Sequence, residues 1–278
     1  MPQKTKSRSR PAASTAQPSA GIALRDYVQS LERGLTVLKS LGTTTGMSLA
    51  DVAKSTEMTR AAARRFLLTL EALGYVGKTD GVFYLLPKTL ELGYSYLASK
   101  SLTQIAQPHL QQLAKQIGES CSVLEYAKGS IIYIARVTVN RLVGANLSVG
   151  SALPAYCTSA GRVLLAALPE TELAAYLDGT TFTKLTPKTI VSTSSLRREV
   201  ERARRNSWYL INEELEIGAR ALAVPLRSAD GKTIAAINVS CYAGRITADR
   251  MRSAFLPEMQ KAAQSIESEM RMAQPALR

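Results

Sequence analysis

Four basic residues, at the start of one predicted helix and on the hairpin after it, are the first side chains whose type and spacing suggest chemistry. They are Arg60, Arg64, Arg65 and Lys78, and Thr59, a residue type that often caps helices, comes directly before the helix. Guanidinium and ammonium groups bind phosphate oxygens. An isolated arginine cluster is typical of a solvated helix face, so the surrounding fold must decide between that interpretation and a nucleic-acid contact surface.

Helix and turn signals surround these residues. Capping residues and apolar residues at helical spacing predict three helices, at about 31–41, 49–54 and 60–73, with Ser30, Ser48 and Thr59 as their N-caps. Alternating apolar residues on both sides of Thr79-Asp80-Gly81 predict a β-hairpin. Together these elements predict a winged helix-turn-helix domain over 23–86. The arginines then lie on the third helix of the domain, which is the second helix of the helix-turn-helix. We interpret them, with Thr59, as DNA contacts, mainly to phosphates.

Spacing also sorts the faces of the third helix. The side predicted to be buried consists of Phe66, Leu67, Leu70 and Leu73. The arginines fall mainly on the exposed side. Three small residues, Ala61 to Ala63, are expected to keep the first turn slim enough to enter a major groove.

Composition narrows the class of protein. The chain has 278 residues, of which 46% are hydrophobic, so it can bury a core. No apolar run has the length of a membrane helix. Three cysteines and one histidine argue against a disulfide scaffold, a zinc site and most histidine-dependent catalysis. These features predict a cytoplasmic protein that is not an enzyme and uses no metal or cofactor.

The charge predicts the partner. The formal net charge is +13, and residues 1–90 carry 13 Lys and Arg against 6 Asp and Glu. A basic excess of this size favours a polyanion, and nucleic acid comes before a membrane surface because no basic amphipathic helix is evident. The sequence therefore indicates double-stranded DNA as a partner and no membrane.

Changes in composition divide the chain. Residues 1–22 are rich in Lys, Arg, Ser and Pro and predict a disordered basic arm. A helical pattern over 87–101 predicts a linker helix. Mixed helices and strands over 102–270, including a strand at Leu142–Leu147, predict an α+β domain with a mainly antiparallel sheet, followed by a tail at 271–278.

Two long segments of this domain resemble a known family. Val149–Pro169 (VGSALPAYCTSAGRVLLAALP) and Asn212–Ser240 (NEELEIGARALAVPLRSADGKTIAAINVS) resemble the effector-domain signatures of the IclR family of bacterial transcriptional regulators. SLERGLTVLKSL and the helix-turn-helix also match, so the resemblance covers roughly residues 25–270. LPAYCTSAGRVLLA and ELEIGARALAVP are most similar to the branch that controls aromatic-acid catabolism, whose effectors include protocatechuate, 4-hydroxybenzoate and β-ketoadipate.

The resemblance implies a winged helix-turn-helix, a linker helix and a GAF-like effector domain whose curved antiparallel sheet holds a small aromatic or dicarboxylic acid. It also implies a homodimer or homotetramer. The ligand-binding positions that it implies are Leu142, Ala145, Leu153, Thr158, Ser159, Ala160, Asn238 and Ser240. Tyr156 is either a stacking partner for an aromatic ring or a structural plug.

Some features of these segments stand without the resemblance. The helix that starts at Ser159 offers backbone N–H groups that suit a carboxylate, or it is an ordinary capped helix. Asn238 and Ser240 face one side of a strand, which is either solvent or pocket. Arg136 pairs either with a ligand carboxylate or with Glu125. The resemblance adds Asn212 as a candidate for ligand contact, because several relatives carry an aspartate before the Glu-Glu pair.

Three functions compete at this stage. The first is a ligand-responsive transcription factor. The second is an enzyme with an appended DNA-binding domain, whose nucleophile would be Cys157 or a serine, but only His109 could serve as a histidine base. The third is a constitutive DNA-binding protein whose C-terminal domain only oligomerises. The polar pair on the strand argues for the first.

Overall fold

The structure, a computed structural model, describes residues 24–42, 45–98, 101–139 and 147–273. The chain divides into two compact units between Leu92 and Gly93, inside the segment predicted as a linker helix. The predicted basic arm lies outside the described residues, and so do two predicted ligand-lining residues, Leu142 and Ala145.

Three helices surround a small apolar core in the first unit. They are α1 (Gln29–Leu41), α2 (Leu49–Ser55) and α3 (Arg60–Ala72). Ser48 and Thr59 cap α2 and α3, since each hydroxyl accepts a hydrogen bond of 3.2 Å from the backbone N–H three residues later. The buried core consists of Val37, Leu38, Leu41, Val52, Ala53, Ala63, Leu67, Val76 and Phe83.

A small sheet completes this unit. It contains β1 (Met47–Ser48), β2 (Val76–Thr79) and β3 (Val82–Leu85) in the order β1-β3-β2, all antiparallel. Asp80 and Gly81 join β2 to β3 with φ values of 51° and 80°, the left-handed conformation that a two-residue hairpin turn requires. The prediction of a winged helix-turn-helix is confirmed.

Two local predictions for this unit were wrong. Ser30 does not cap α1, because the helix begins at Gln29, two residues before the predicted start, and its N-cap position is Val28. Leu73 is 53% exposed because α3 ends at Ala72 and the chain turns away from the core. Ala63, one of the three small residues of the first turn, is fully buried, because it lies one turn before Leu67 on the same side of the helix.

A six-stranded antiparallel sheet forms the centre of the second unit within the described ranges. Its strands are β4 (Ser120–Ala127), β5 (Ser130–Val137), β6 (Ala152–Pro154), β7 (Tyr209–Asn212), β8 (Ala219–Arg227) and β9 (Thr233–Tyr242). The strand order is β6-β5-β4-β9-β8-β7, so β4 and β9, far apart in the chain, lie side by side at the centre.

Helices cover both faces of this sheet. After α4 (Leu90–Ala98), the helix α5 (Ser101–Ile117) packs on one face with α10 (Leu256–Ala273), which continues α9 (Ala248–Arg250) through a π-helical turn. The opposite face is covered by α6 (Ser159–Leu165), α7 (Glu170–Gly179) and α8 (Thr193–Asn206). We call this second face, which carries Asn238 and Ser240, the inner face.

The predicted α+β class and antiparallel sheet are confirmed, but the pattern along the chain missed α7 and β7. Leu153 and Pro154 belong to the edge strand β6. Proline is tolerated there because an edge strand leaves some backbone N–H positions without a ladder partner. The strand expected at Leu142–Leu147 falls almost wholly outside the described residues.

No helix in the described ranges has the length and apolarity needed to cross a membrane. In the same ranges, no cluster of three or more His, Cys, Asp or Glu side chains could hold a metal ion.

Candidate functional site

The basic residues of the first unit lie on the solvent-exposed side of α3 and on the hairpin. Arg60, Arg64 and Arg65 are exposed, and their guanidinium groups make no ion pair or hydrogen bond with any residue that the structure describes. Lys78 is also exposed, and its ammonium lies 5.3 Å from the centroid of the Phe83 ring. Their charges are thus available to an anionic partner.

Thr59 has a structural task in this surface. Its hydroxyl accepts the N–H of Ala62 and thereby fixes where α3 begins. The cap sets the direction of the first turn, on which Arg60 lies, and of the second turn with Arg64. A direct contact of Thr59 with DNA stays a prediction.

On the inner face of the second unit, two predicted ligand-site residues meet. The Asn238 side-chain amide of β9 donates to the Ser159 hydroxyl at the start of α6, at 2.8 Å, although the residues are 79 positions apart. Asn238 is 5% exposed and Ser159 is 0% exposed. The side of β9 that could have faced solvent or pocket is therefore covered by α6.

The start of α6 is packed tightly against the 3-10 turn before it. The Thr158 hydroxyl accepts the N–H of Gly161 at 3.2 Å and donates to the Pro154 carbonyl at 3.1 Å. A Cβ atom at Gly161 would lie 2.0 Å from the Ala155 carbonyl oxygen, so only glycine fits. Ala160 is fully buried among apolar residues. One N–H expected to attract a carboxylate is thus capped within the chain.

A row of polar side chains crosses the inner face. Arg136 of β5, Ser122 of β4 and Asn238 of β9 occupy paired positions on adjacent strands, and Ser240 lies two residues beyond Asn238. The Arg136 Nη1 group donates to the Ser122 hydroxyl at 3.0 Å. Sequence reasoning missed Ser122, although its alternation with Cys121 and Val123 is the pattern that identified Asn238.

Two atoms of this face are buried and have no hydrogen-bond partner within the described residues. They are Arg136 Nε and Ser240 Oγ. Leaving a buried polar group unpaired costs about 1–3 kcal/mol, so native proteins keep few such atoms. The guanidinium carbon of Arg136 lies 5.4 Å from the centroid of the Tyr133 ring.

The structural alternative for Arg136 was an ion pair with Glu125, and it was wrong. The Glu125 carboxylate instead accepts a hydrogen bond from the Tyr96 hydroxyl of α4. The described partner of Arg136 is a neutral serine, which orients the guanidinium but leaves its charge uncompensated.

Leu153 and Tyr156 are not part of this polar row. Both line a cavity of about 450 Å³ beside the β4–β5 turn, together with Tyr176. The Tyr156 hydroxyl donates to the Thr183 carbonyl at 2.8 Å, and its ring packs edge-to-face on Phe182 at 5.2 Å between centroids. These contacts fit the interpretation of Tyr156 as a structural plug.

A fully buried arginine lies one turn beyond Ser159 on α6 and was not singled out from the sequence. Arg162 is 0% exposed, and its three guanidinium nitrogens donate to the Tyr156 carbonyl at 2.8 Å, the Tyr209 hydroxyl at 2.8 Å and the Glu214 carboxylate at 2.6 Å. Burial raises the pKa of the Glu214 carboxyl, and the facing guanidinium opposes that rise. This network fixes α6 to β7 and the segment after it.

Neighbouring residues in that segment have separate tasks. The side-chain oxygen Oδ1 of Asn212 accepts a hydrogen bond from Arg220 Nε at 2.9 Å, so the side chain of this ligand candidate already has a partner. Glu213 pairs with Lys188, whereas Glu214 pairs with Arg162. The two glutamates therefore pair with different basic residues, although they are adjacent in the chain.

The residues that an enzyme would need lie on opposite faces of the sheet. Cys157 is buried on the side of the inner face, and burial raises the pKa of its thiol to about 12. His109 lies on α5 and contacts Glu269 of α10 at 2.9 Å on the other side. The described geometry therefore does not assemble a Cys–His pair.

Comparison with protein families matches both units. The family described as "Bacterial transcriptional regulator IclR C-terminal" matches residues 94–268, and "IclR helix-turn-helix domain" matches residues 30–80. The second match includes α2, α3 and the four basic residues Arg60, Arg64, Arg65 and Lys78. The first includes all of the inner-face residues named above.

Individual relatives agree with these matches. The "Pca regulon regulatory protein" of Pseudomonas putida is 40% identical over 243 residues, which cover 87% of this chain and 84% of the relative. The crystal structure of a transcriptional regulator, RHA06195 from Rhodococcus sp. RHA1, has a TM-score of 0.75 at 43% identity and covers 89% of this chain and 100% of that chain.

A second similar structure contains only the inducer-binding domain. It is a double mutant of the PobR transcription factor from Acinetobacter in complex with 3-hydroxybenzoic acid. Its TM-score is 0.58 at 28% identity, and the match covers 60% of this chain and 98% of that chain.

Proposed function

Because the chain belongs to the IclR family of bacterial transcriptional regulators, we propose that it controls a catabolic operon in response to a small aromatic carboxylic acid. The first unit binds double-stranded operator DNA. The second unit binds the acid on its inner face. The observation that carries the ligand assignment is the pair of buried polar atoms without a described partner, Arg136 Nε and Ser240 Oγ.

A carboxylate suits the Arg136 end of this face. The Nε–H group is a donor without a described partner and belongs to a cation whose charge no described carboxylate compensates. A ligand carboxylate would accept that hydrogen bond and supply the missing negative charge. Ser122 holds the guanidinium in place beforehand, which lowers the entropy cost of binding.

The other polar groups suit a substituent on an aromatic ring. The Ser240 hydroxyl can donate or accept, so it can pair with a ring hydroxyl. The Asn238–Ser159 pair forms the adjoining wall. The relatives support this choice, since one regulates the Pca regulon and the related PobR domain binds 3-hydroxybenzoic acid.

The exposed arginines of α3 and Lys78 of the wing serve the DNA-binding step. They contact phosphates on both sides of the groove that α3 enters. One recognition helix reaches only a few base pairs, so the protein binds as a homodimer, or as a homotetramer of two such pairs, on a two-fold operator. Such a regulator acts in the cytoplasm and needs no cofactor.

The acid changes DNA binding by favouring one conformational state of the protein. A ligand shifts an equilibrium only by its difference in affinity for the two states. The Asn238–Ser159 bond joins the sheet to α6 on the same face as Arg136. A bound acid would therefore act on the packing of α6 against the sheet.

Thermal unfolding with candidate acids tests the ligand assignment. The full chain is heated with 4-hydroxybenzoate, protocatechuate or β-ketoadipate, and the single tryptophan, Trp208, reports the second unit by fluorescence. A ligand at about 100 times its dissociation constant adds about 2.7 kcal/mol to the unit that binds it. We expect a selective rise in Tm with an aromatic acid.

Two variants make this test specific. Arg136→Gln keeps polar atoms near Ser122 but removes the charge, so the rise in Tm should disappear. Arg205→Gln removes an exposed arginine of α8, and the rise in Tm should remain in this variant. No rise with any acid, or an equal rise in Arg136→Gln, would contradict the assignment.

A further inference from the structure

A groove between α1 and α3 in the first unit has no task in the function described so far. Its volume is about 310 Å³. The polar side chains that line it are Gln29, Ser30, Arg33, Arg65 and Thr69. Arg65 belongs to the basic surface of α3, whereas Arg33 lies on α1, outside the helix-turn-helix proper.

The groove is strongly positive. Two guanidinium groups line it, and none of its lining residues is acidic. Neither Arg33 nor Arg65 makes a side-chain hydrogen bond or ion pair with any residue in the described ranges. Two like charges on one small groove repel each other unless an anion lies between them.

Neutral hydrogen-bond donors lie beside the two guanidinium groups in this groove. The Ser30 hydroxyl was expected to cap α1, but the helix begins two residues earlier than predicted, at Gln29, so this hydroxyl is left at the groove. Gln29 supplies a side-chain amide beside it. Thr69 uses its own hydroxyl hydrogen on the Arg65 carbonyl, at 2.9 Å, and can only accept.

We propose that this groove binds a phosphate of the operator backbone, with Arg33 and Arg65 on either side of it, so that α1 is part of the DNA interface. The proposal rests on the proposed DNA-binding function. Arg65 connects the groove to the arginines of α3, and the bound phosphate is therefore the neighbour of those that Arg60 and Arg64 contact. A phosphodiester carries one negative charge and two accepting oxygens, which match two guanidinium donors.

The salt dependence of DNA binding tests this contact. Each phosphate that a protein neutralises adds about 0.9 to the slope of log affinity against log salt. Binding of the full chain to a random-sequence duplex of about 30 base pairs is followed by fluorescence anisotropy between about 50 and 200 mM salt. For Arg33→Gln we expect a slope smaller by about 0.9, whereas Arg33→Lys, which keeps the charge, should keep most of it.

Lys39→Gln is the matched control. Lys39 lies on the same helix, is exposed, and does not line the groove, so its loss changes the net charge equally. The slope should stay unchanged in Lys39→Gln, and the Tm of the first unit should be the same in both variants. An unchanged slope in Arg33→Gln, or an equal decrease in Lys39→Gln, overturns the proposal.

A third variant separates this proposal from the DNA-binding function itself. Arg64→Gln lies on α3 and outside the groove. If Arg64→Gln lowers the slope and Arg33→Gln does not, only the contact by α1 is wrong. If the unaltered chain does not bind the duplex, or if neither variant lowers the slope, the proposed DNA surface is wrong as well.

Discussion

The arginines of the first unit and those on the inner side of the second unit differ in how their charge is compensated. Arg60, Arg64 and Arg65 are exposed and have no described partner. Arg162 is completely buried and has three hydrogen-bond partners, among them the Glu214 carboxylate. Arg136 lies between these extremes, with one serine and one nitrogen without a described partner.

This difference shows what each region can bind. An exposed arginine already has water as its partner, so contact with a polyanion costs little and responds to salt. A buried arginine must be compensated by fixed groups, because an isolated buried charge costs several kcal/mol. Where the chain supplies the complete set, as for Arg162, the residue is structural. Where it supplies only part, as for Arg136, a small acid can supply the rest.

The largest effect should come from breaking the complete network. Glu214→Ala leaves Arg162 buried without its carboxylate, and removing one member of a buried pair typically costs about 4 kcal/mol. Urea unfolding followed by Trp208 fluorescence measures the loss in the second unit. Glu170→Ala breaks an exposed pair with Arg197 and should change the transition far less. Equal losses would remove the distinction between buried and exposed arginines.

A smaller effect should separate the paired from the unpaired groups of the inner face. Asn238→Ala leaves the buried Ser159 hydroxyl without its donor and should cost about 1–3 kcal/mol. Ser240→Ala removes a hydroxyl that has no described partner, so stability should stay the same or rise by about 1 kcal/mol, while affinity for the aromatic acid falls. A large loss of stability in Ser240→Ala would mean that its hydroxyl is already paired.

The exposed arginines should contribute smaller amounts that depend on salt. The double variant Arg64→Gln/Arg65→Gln should lower the salt slope of DNA binding by about 1.8, because each lost phosphate contact removes about 0.9. Arg198→Gln/Arg205→Gln on α8 removes the same charge from the second unit and is the control. If both double variants lower the slope equally, the effect reports net charge rather than a defined surface.

The smallest effect concerns the cysteines near the buried networks. Burial raises the pKa of Cys121 and Cys157 to about 12 and that of Cys241 to about 11. A raised pKa keeps the thiols protonated until the pH approaches these values, so iodoacetamide at about pH 8 should leave the folded chain unmodified. After unfolding, all three should react. Rapid reaction of Cys157 in the folded chain would show that its thiol is accessible and reactive. That result would support the interpretation of the chain as an enzyme.

Local structure was largely predictable from neighbouring residues. Ser48 and Thr59 were predicted as caps and Asp80-Gly81 as a hairpin turn, and the structure confirms each of them. These features depend on contacts within about four residues, so the chain alone specifies them. Ser30 shows the limit, because a two-residue shift in the start of α1 leaves its hydroxyl at a groove instead of at the cap position.

The candidate ligand site was predictable only in part. Strand alternation placed Asn238 and Ser240 on one side, but it could not show that α6 covers that side. Tyr156 and Leu153 are close to Ser159 in the chain, yet the structure places them at the cavity beside the β4–β5 turn and not in the polar row. Ser122 shows the same strand alternation as Asn238 but was missed, and Arg162 carried no separate signal, since a polar residue in an apolar segment shows neither its partner nor its burial.

The sequence by itself determined the basic character of the first unit, the type of its DNA-binding domain and the motifs of an effector domain. The first two properties follow from composition and short-range spacing, and the third follows from the resemblance of two segments to a known family. The tertiary structure alone decided which arginines are compensated, since a guanidinium's partners lie on strands and helices distant in the chain. Arg162 meets Glu214 across 52 positions, and Arg136 meets no described carboxylate. Burial and pairing are properties of the folded chain, and they separate an arginine that holds the fold from one that can hold a ligand.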